Sequence, residues 1–225
     1  MRFSILLCVL AAVLFGLAVV SDAWWARVAL TWAAIASFLP ALAYGLDRPR
    51  WLGKRSDGAL SLTRVVLFLP FFLVTWGIWH VRRLSRADPF DAVADRLYVG
   101  RRPLSGELPE GTTLVVDLTS EFAEVGPIRN LAGYRCLPAL DGQAPPTDDQ
   151  TRRQVQAIAA HDGTLYVHCA VGHGRSAALA AAVLVIRGHA PSIAQAEQQM
   201  KRSRSRIGLN ACQRRWASAM AGVDG

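Results

Sequence analysis

Three apolar runs crowd the first eighty residues, and beyond them the pattern changes to short β-type stretches alternating with helical ones. Residues 4–20 (SILLCVLAAVLFGLAVV) carry no charge. Residues 24–46 (WWARVALTWAAIASFLPALAYGL) carry one arginine near their start, and residues 65–81 (VVLFLPFFLVTWGIWHV) lie between Arg64 and the pair Arg82-Arg83. Roughly 20 apolar residues let a helix cross a bilayer, and each run approaches that length. Pro40 and Pro70 are tolerated in such spans where neighbours satisfy the freed carbonyls. The pattern predicts a membrane region over 1–83 with about three transmembrane helices. The first run, between Arg2 and Ser21-Asp22-Ala23, also has the outline of a signal peptide, but without a strongly charged leader it reads as an uncleaved span.

Residues 84–225 read as a soluble domain. RLYVG (96–100), TTLVVDLTS (112–120), GYRCLPAL (133–140) and TLYVHC (164–169) are predicted strands. TDDQTRRQVQAIAAHDG (147–163) is a predicted helix, with Thr147 as N-cap and Gly163 as its end. RSAALAAAVLVIRG (175–188) predicts a helix buried in the core, and SIAQAEQQMKRSRSR (192–206) and NACQRRWASAMAG (210–222) complete the chain. Asn210 and Gln213 have the spacing of a capping box. Strands alternating with helices predict an α/β fold, a mostly parallel central sheet flanked by helices.

Composition refines this picture. Apolar residues make up 52% of the 225, and the excess lies in the first eighty positions. The formal net charge is +8, with cations gathered at 48–55, 82–86 and 201–206. Such clusters suit anionic lipid or phosphorylated partners; the first two read as flanks of membrane spans and KRSRSR (201–206) as a solvated helix end. No nucleic-acid partner is implied. Arg48, Arg50, Lys54 and Arg55, between the second and third runs, would stay in the cytoplasm by the positive-inside rule, and so would Arg82, Arg83 and Arg86 after the third. Three full spans cannot satisfy both, whereas a re-entrant third segment can. The four cysteines, Cys8, Cys136, Cys169 and Cys212, show neither a disulfide framework nor metal-ligand spacing.

The candidate chemistry sits in YVHCAVGHGRSAALAAAVLV (166–185). A tight loop here joins a core strand to a helix N-terminus, so its amides and the helix dipole form an anion site. Gly172 and Gly174 allow close backbone turns. Arg175 can clamp two phosphate oxygens. Cys169 alone would read as a small buried hydrophobe, but amide dipoles, a cation and a helix terminus are the conditions that lower a thiol pKa. His168 could support that environment through hydrogen bonds. A thiolate at the floor of a phosphate cradle can attack phosphorus in line, with Arg175 and the amides of Ala170, Val171, Gly172, His173 and Gly174 holding the transition-state charge. Ser176 could assist the sulfur as it leaves. A proton donor for the departing oxygen belongs on a neighbouring loop. Asp141 in LPALDGQAPP meets that demand, ahead of Asp148 and Asp149, which read as first-turn helix acids.

HCAVGHGRS resembles the His-Cys-x5-Arg-Ser/Thr signature of the cysteine-dependent protein tyrosine phosphatases, in particular the compact dual-specificity branch. The resemblance covers roughly residues 92–220: DRLYVGRRP is similar to that family's opening strand, VVDLTSEF to its second core strand, and Asp141 falls where its general acid lies. It implies Cys169 as nucleophile, Arg175 as phosphate clamp, Asp141 as acid, Ser176 as the aid to thiolate release and 170–174 as the amide cradle, with neither metal nor cofactor. Phosphoinositide-directed relatives often carry lysines in the cradle, where this chain has Ala170 and His173. Expected substrates are phosphorylated proteins, with a phospholipid headgroup as the alternative and a non-catalytic phosphate-binding module as a further one. A reactive cysteine without a disulfide partner belongs on the reducing side of a plasma or inner membrane, so the catalytic domain is expected to be cytoplasmic.

Overall fold

The structure, a computed structural model, describes residues 2–84 and 88–223. Arg86, one of the cations after the third apolar run, lies outside the described residues. The chain forms two compact units: one comprises 1–55, 59–85 and 120–123, the other 56–58, 86–119 and 124–225.

In the first unit, α1 (Arg2–Val20) and α2 (Trp24–Gly45) pack against each other through a turn at 21–23. The Ser4 hydroxyl donates to the Ala41 carbonyl at 2.8 Å, and the rings of Phe3 and Tyr44 meet edge-on at 4.7 Å. Arg27, the one cation early in the second run, folds its Nε back onto the Ser21 carbonyl at 2.6 Å. By length and composition α1 and α2 are able to cross a membrane, and they are the two described helices that pass this test.

The third apolar run departs from expectation. It forms two helices, α3 (Leu62–Leu67) and α4 (Leu69–Arg83), that break at Phe68. Pro70 lies in the first turn of α4, where its missing N–H costs nothing, and one continuous helix would have placed it mid-span. The 15 residues of α4 rise only about 22 Å, short of a bilayer core of roughly 30 Å. Lys54, counted among the loop cations, is buried and donates its ammonium to the Phe122 carbonyl. Trp76 Nε1 donates to the Glu121 carbonyl at 3.0 Å, and the Trp79 and Phe122 rings lie 5.5 Å apart.

The second unit is built on a five-stranded sheet of order β1-β2-β5-β3-β4. Its strands are β1 (Phe90–Ala94), β2 (Leu97–Arg101), β3 (Thr112–Thr119), β4 (Tyr134–Ala139) and β5 (Thr164–Cys169). All pairings are parallel except β1 with β2. β1 was not anticipated, nor was α5 (Gly126–Arg129). The remaining helices are α6 (Asp149–Ala159), α7 (Arg175–Ile186), α8 (Ile193–Ser203) and α9 (Ala211–Ala221). The N-cap of α6 is Asp148, whose carboxylate accepts from Thr151 N at 2.7 Å, and not Thr147; the helix ends at Ala159, well before Gly163. The capping box at Asn210 and Gln213 forms as the spacing requires.

α7 is buried from Arg175 to Leu184, with α6, α8 and α9 around it and β5 against it. Its alanines let the surrounding elements approach closely, which is why an almost uniformly apolar helix suits the centre of the fold. Val115, Tyr134 and Tyr166 form a second apolar cluster with Ile128 of α5. β5, flanked by β2 and β3, delivers His168 and Cys169 to the carboxyl edge of the sheet, where open α/β sheets place their ligand sites.

Candidate active site

Cys169 is the last residue of β5 and Arg175 the first of α7, so loop 170–174 is drawn tight between a central strand and a core helix. Gly172 sits at φ +76°, and a Cβ there would come within 2.5 Å of the Gly100 carbonyl oxygen. Only glycine fits. Gly174 has an ordinary negative φ of −117°, so its smallness answers to the Gln213 side chain, which a Cβ would meet at 3.0 Å, and not to a turn.

The sulfur of Cys169 accepts from Gly172 N at 3.2 Å and lies 3.4 Å from Ser176 Oγ. Burial alone would push this thiol up. The Arg175 cation, the Ser176 hydroxyl and amide, and the Gly172 amide together outweigh burial and hold it below its ordinary value. Cys169 is buried, whereas Cys8, Cys136 and Cys212 are half-buried, and none of the four is in a disulfide.

Arg175 is 1% exposed. Its Nη1 donates to the Ala139 carbonyl at 2.9 Å, and its Nη2 lies 3.2 Å from Asp141 Oδ1. Asp141 follows β4 by two residues and is largely exposed, the two properties wanted of a proton donor that must reach a bound ester. Asp148, by contrast, is committed to its cap. The structure thus brings Cys169, Arg175, Ser176 and Asp141 into one constellation around the loop.

His168 is buried, stacked on Tyr166 with ring centroids 5.6 Å apart. Its Nε2 lies 3.0 Å from Glu124 Oε2 and 4.0 Å from Asp117 Oδ1. Neither acid was anticipated as a partner, although an acid inside the apolar run TTLVVDLT is itself a signal, because a buried charge must be paired. Asp117 accepts from Thr119 N and Oγ1, both at 2.7 Å, and from Tyr134 OH at 2.9 Å. Asp117, Glu124 and His168 are also the group among the described residues whose ligand atoms, all within 4.8 Å of one another, could hold a metal ion. With three donors already on Asp117, the set serves as a buried polar buttress beside β5.

KRSRSR does not behave as a purely solvated helix end. Arg204 within it is buried and reaches the loop: its Nε donates to the Gly172 carbonyl at 3.0 Å and its Nη2 to the Val171 carbonyl at 3.2 Å. Nothing in the local sequence distinguishes Arg204 from Arg202 or Arg206.

Residues 111–219 match the family model described as "PTP-SAK: Swiss Army Knife protein, DSP-PTPase phosphatase domain". The match is to a phosphatase domain of the dual-specificity protein tyrosine phosphatase type, and it spans β3 to α9. No match is found among curated protein sequences. Among solved structures, PTPMT1 in complex with PI(5)P is 21% identical, with 60% of this chain and 96% of that one covered at a TM-score of 0.51. Human DUSP28 is 23% identical over 60% and 95% of the two chains, at a TM-score of 0.47. Tk-PTP in its active form is 21% identical over 60% and 97%, at 0.49. The likeness to PTPMT1 is one of fold, and it agrees with the mostly parallel, helix-flanked sheet of the second unit.

Proposed function

We propose that the chain is a membrane-anchored phosphomonoester hydrolase, acting on phosphorylated proteins as a dual-specificity or tyrosine phosphatase, with a membrane region over 1–83 and a catalytic domain over 84–225. The observation that carries the reading is the sulfur of Cys169 held by an amide and a hydroxyl beside a buried guanidinium that reaches Asp141.

The chemistry follows from that arrangement. A phosphate dianion entering the cradle competes with the Asp141 carboxylate for Arg175 Nη2, so substrate binding frees that carboxylate to take up a proton from solvent and turn towards the leaving oxygen. The Cys169 thiolate attacks phosphorus, the S–P bond forms as the ester P–O bond breaks, and Asp141 passes its proton to the departing alkoxide or phenoxide. Arg175 and the amides of 170–174 hold the equatorial oxygens. Water, deprotonated by Asp141, then attacks phosphorus and expels the sulfur, which Ser176 stabilises with a hydrogen bond. His168, the residue before Cys169 on β5, steadies that strand end through Glu124.

A phospholipid headgroup is the second reading. Its support is the apolar surface of α1 and α2: Leu6, Val9, Val13 and Phe15 of the first and Val28 and Phe38 of the second stand exposed, and such surface is stable in lipid and costly in water. An anchor of this kind would hold the cradle beside the bilayer. Ala170 and His173, in place of cradle lysines, favour the protein substrate. We place the catalytic domain on the cytoplasmic face, which a reporter fused to the C-terminus tests.

The deciding experiment assays the full-length protein in detergent on phosphotyrosine and phosphoserine peptides and on phosphatidylglycerophosphate, beside Cys169→Ser. Wild type is expected to release phosphate from the peptides and the variant only at background. Equal release by the two proteins on every substrate overturns the enzymatic reading, and turnover confined to the lipid replaces the first substrate class with the second.

A further inference from the structure

Every carbonyl from Ala170 to His173 is held by a donor from elsewhere in the fold. The Ala170 carbonyl accepts from Arg102 N at 3.3 Å and that of His173 from Gly208 N at 3.1 Å. The two between them, Val171 and Gly172, accept from Arg204 Nη2 and Nε. In a trans peptide the C=O and the following N–H point in opposite directions. A donor that grips the carbonyl of Val171 therefore fixes where the Gly172 N–H points, and that N–H is the one bonded to Cys169 Sγ at 3.2 Å. By the same geometry the grip on the Gly172 carbonyl fixes the His173 N–H.

Arg204 is itself fixed. Its Nη1 bonds Asp91 Oδ2 at 2.6 Å and the Asp88 carbonyl at 3.3 Å, so the guanidinium is satisfied on three sides by groups far apart in sequence. Asp91 neutralises the charge, which leaves hydrogen-bond direction as the means by which Arg204 acts on the loop. Two carbonyls on successive peptides, met by two nitrogens of one planar group, demand the arginine fork; a lysine ammonium cannot span both.

We infer that Arg204, seated on Asp91, is a positioning residue of the phosphate cradle, orienting the 171–172 and 172–173 peptides so that their amides face the anion and the sulfur. It deepens the phosphatase reading and rests on it for turnover, but its central readouts do not require turnover.

Full-length wild type, Arg204→Ala, Arg204→Lys and Asp91→Ala are compared in detergent. The rate of iodoacetamide alkylation at Cys169, followed by peptide mass across pH, reports the thiolate, and inorganic phosphate protection against that alkylation reports the cradle. A misaimed amide loses a hydrogen bond to a charged ligand, so Arg204→Ala is expected to weaken phosphate protection by about tenfold or more. Its alkylation profile should move to higher pH, with Arg204→Lys recovering only part of both effects and Asp91→Ala showing a smaller loss. A folded Arg204→Ala with wild-type profile and protection overturns the inference. If that variant does not fold, Arg204→Lys decides: wild-type values in both readouts overturn it. Wild type that protects and alkylates as expected yet hydrolyses nothing would sink the phosphatase reading and leave the cradle assignment standing.

Discussion

Arg175, which follows the 170–174 loop, and Arg204, which reaches it, are both buried guanidinium groups, and they differ in what they hold. Arg175 keeps one nitrogen on the Ala139 carbonyl and another on Asp141, a carboxylate 71% exposed that a phosphate can displace. Arg204 is bonded to three carbonyls and to Asp91, none of which a substrate replaces. In the proposed reaction one cation is offered to the ligand through an exchangeable partner, whereas the other is spent on the backbone. An anion cradle needs both: pre-oriented donors that need no reorganisation when charge develops, and one cation whose resting partner can leave.

The comparison breaks first at Asp141. If this carboxylate is the exchangeable partner and the proton donor, Asp141→Asn removes the acid while leaving the cradle intact. Turnover of an alkyl phosphate is expected to fall about 100-fold or more, in keeping with the usual worth of a positioned acid. An activated aryl phosphate, whose leaving group needs no proton, should lose far less. Inorganic phosphate should bind the variant at least as well as wild type, since no carboxylate then competes for Arg175. Equal losses on alkyl and aryl esters would move the acid role elsewhere.

Ser176 gives a smaller and differently shaped effect. Its hydroxyl is one of the groups that hold the Cys169 thiol below its ordinary value. Ser176→Ala removes that bond while the amides remain, so the thiol pKa rises. Activity needs the thiolate and therefore increases as pH rises through that pKa. The acid limb of the kcat/KM profile should shift upward by on the order of one pH unit, the equivalent of one hydrogen bond to a charged group. Breakdown of the thiophosphate should also slow, visible as a burst of leaving group ahead of phosphate. An unmoved acid limb would take Ser176 out of the thiol's environment.

What could be read from the chain divides along the same line. Cys169, Gly172, Arg175 and Ser176 sit within eight residues of one another, so the strand, the tight turn and the helix start are all local and the constellation was legible. Asp141 was legible too, because a strand end and a Gly/Pro loop give it away. Arg204 was not: its seat is Asp91, 113 positions earlier, on a strand too short for alternation to betray. Glu124 likewise acquires its meaning only from His168 across the fold. In the N-terminal unit, length and apolarity located α1 and α2, but Pro70 marks a helix start where hydropathy alone reads a continuous span.

The smallest effect tests how the outer support is itself held. Glu197 on α8 is buried and accepts from Leu209 N at 3.3 Å, Lys201 Nζ at 2.8 Å and Arg214 Nε at 2.9 Å. It thereby ties down the loop whose Gly208 N reaches the His173 carbonyl. Burial would raise its pKa, but the hydrogen bonds from Arg214, Lys201 and Leu209 prevail and lower it. A carboxylate whose folded pKa lies below its unfolded value contributes stability that is present above the unfolded pKa and is lost as pH falls through the folded one. With both cationic partners substantially exposed, the contribution is screened and amounts to about 1 kcal/mol or less. Glu197→Gln should therefore lower Tm by a few degrees near neutral pH. The gap to wild type should close on acidification below the ordinary glutamate range, where wild type carries a neutral side chain as well. The Cys169 alkylation profile should barely move, since Arg204 still grips the loop. A Glu197→Gln profile displaced as far as that of Arg204→Ala would mean that the outer support is a property of the whole 197–209 segment, with Arg204 only one of its parts.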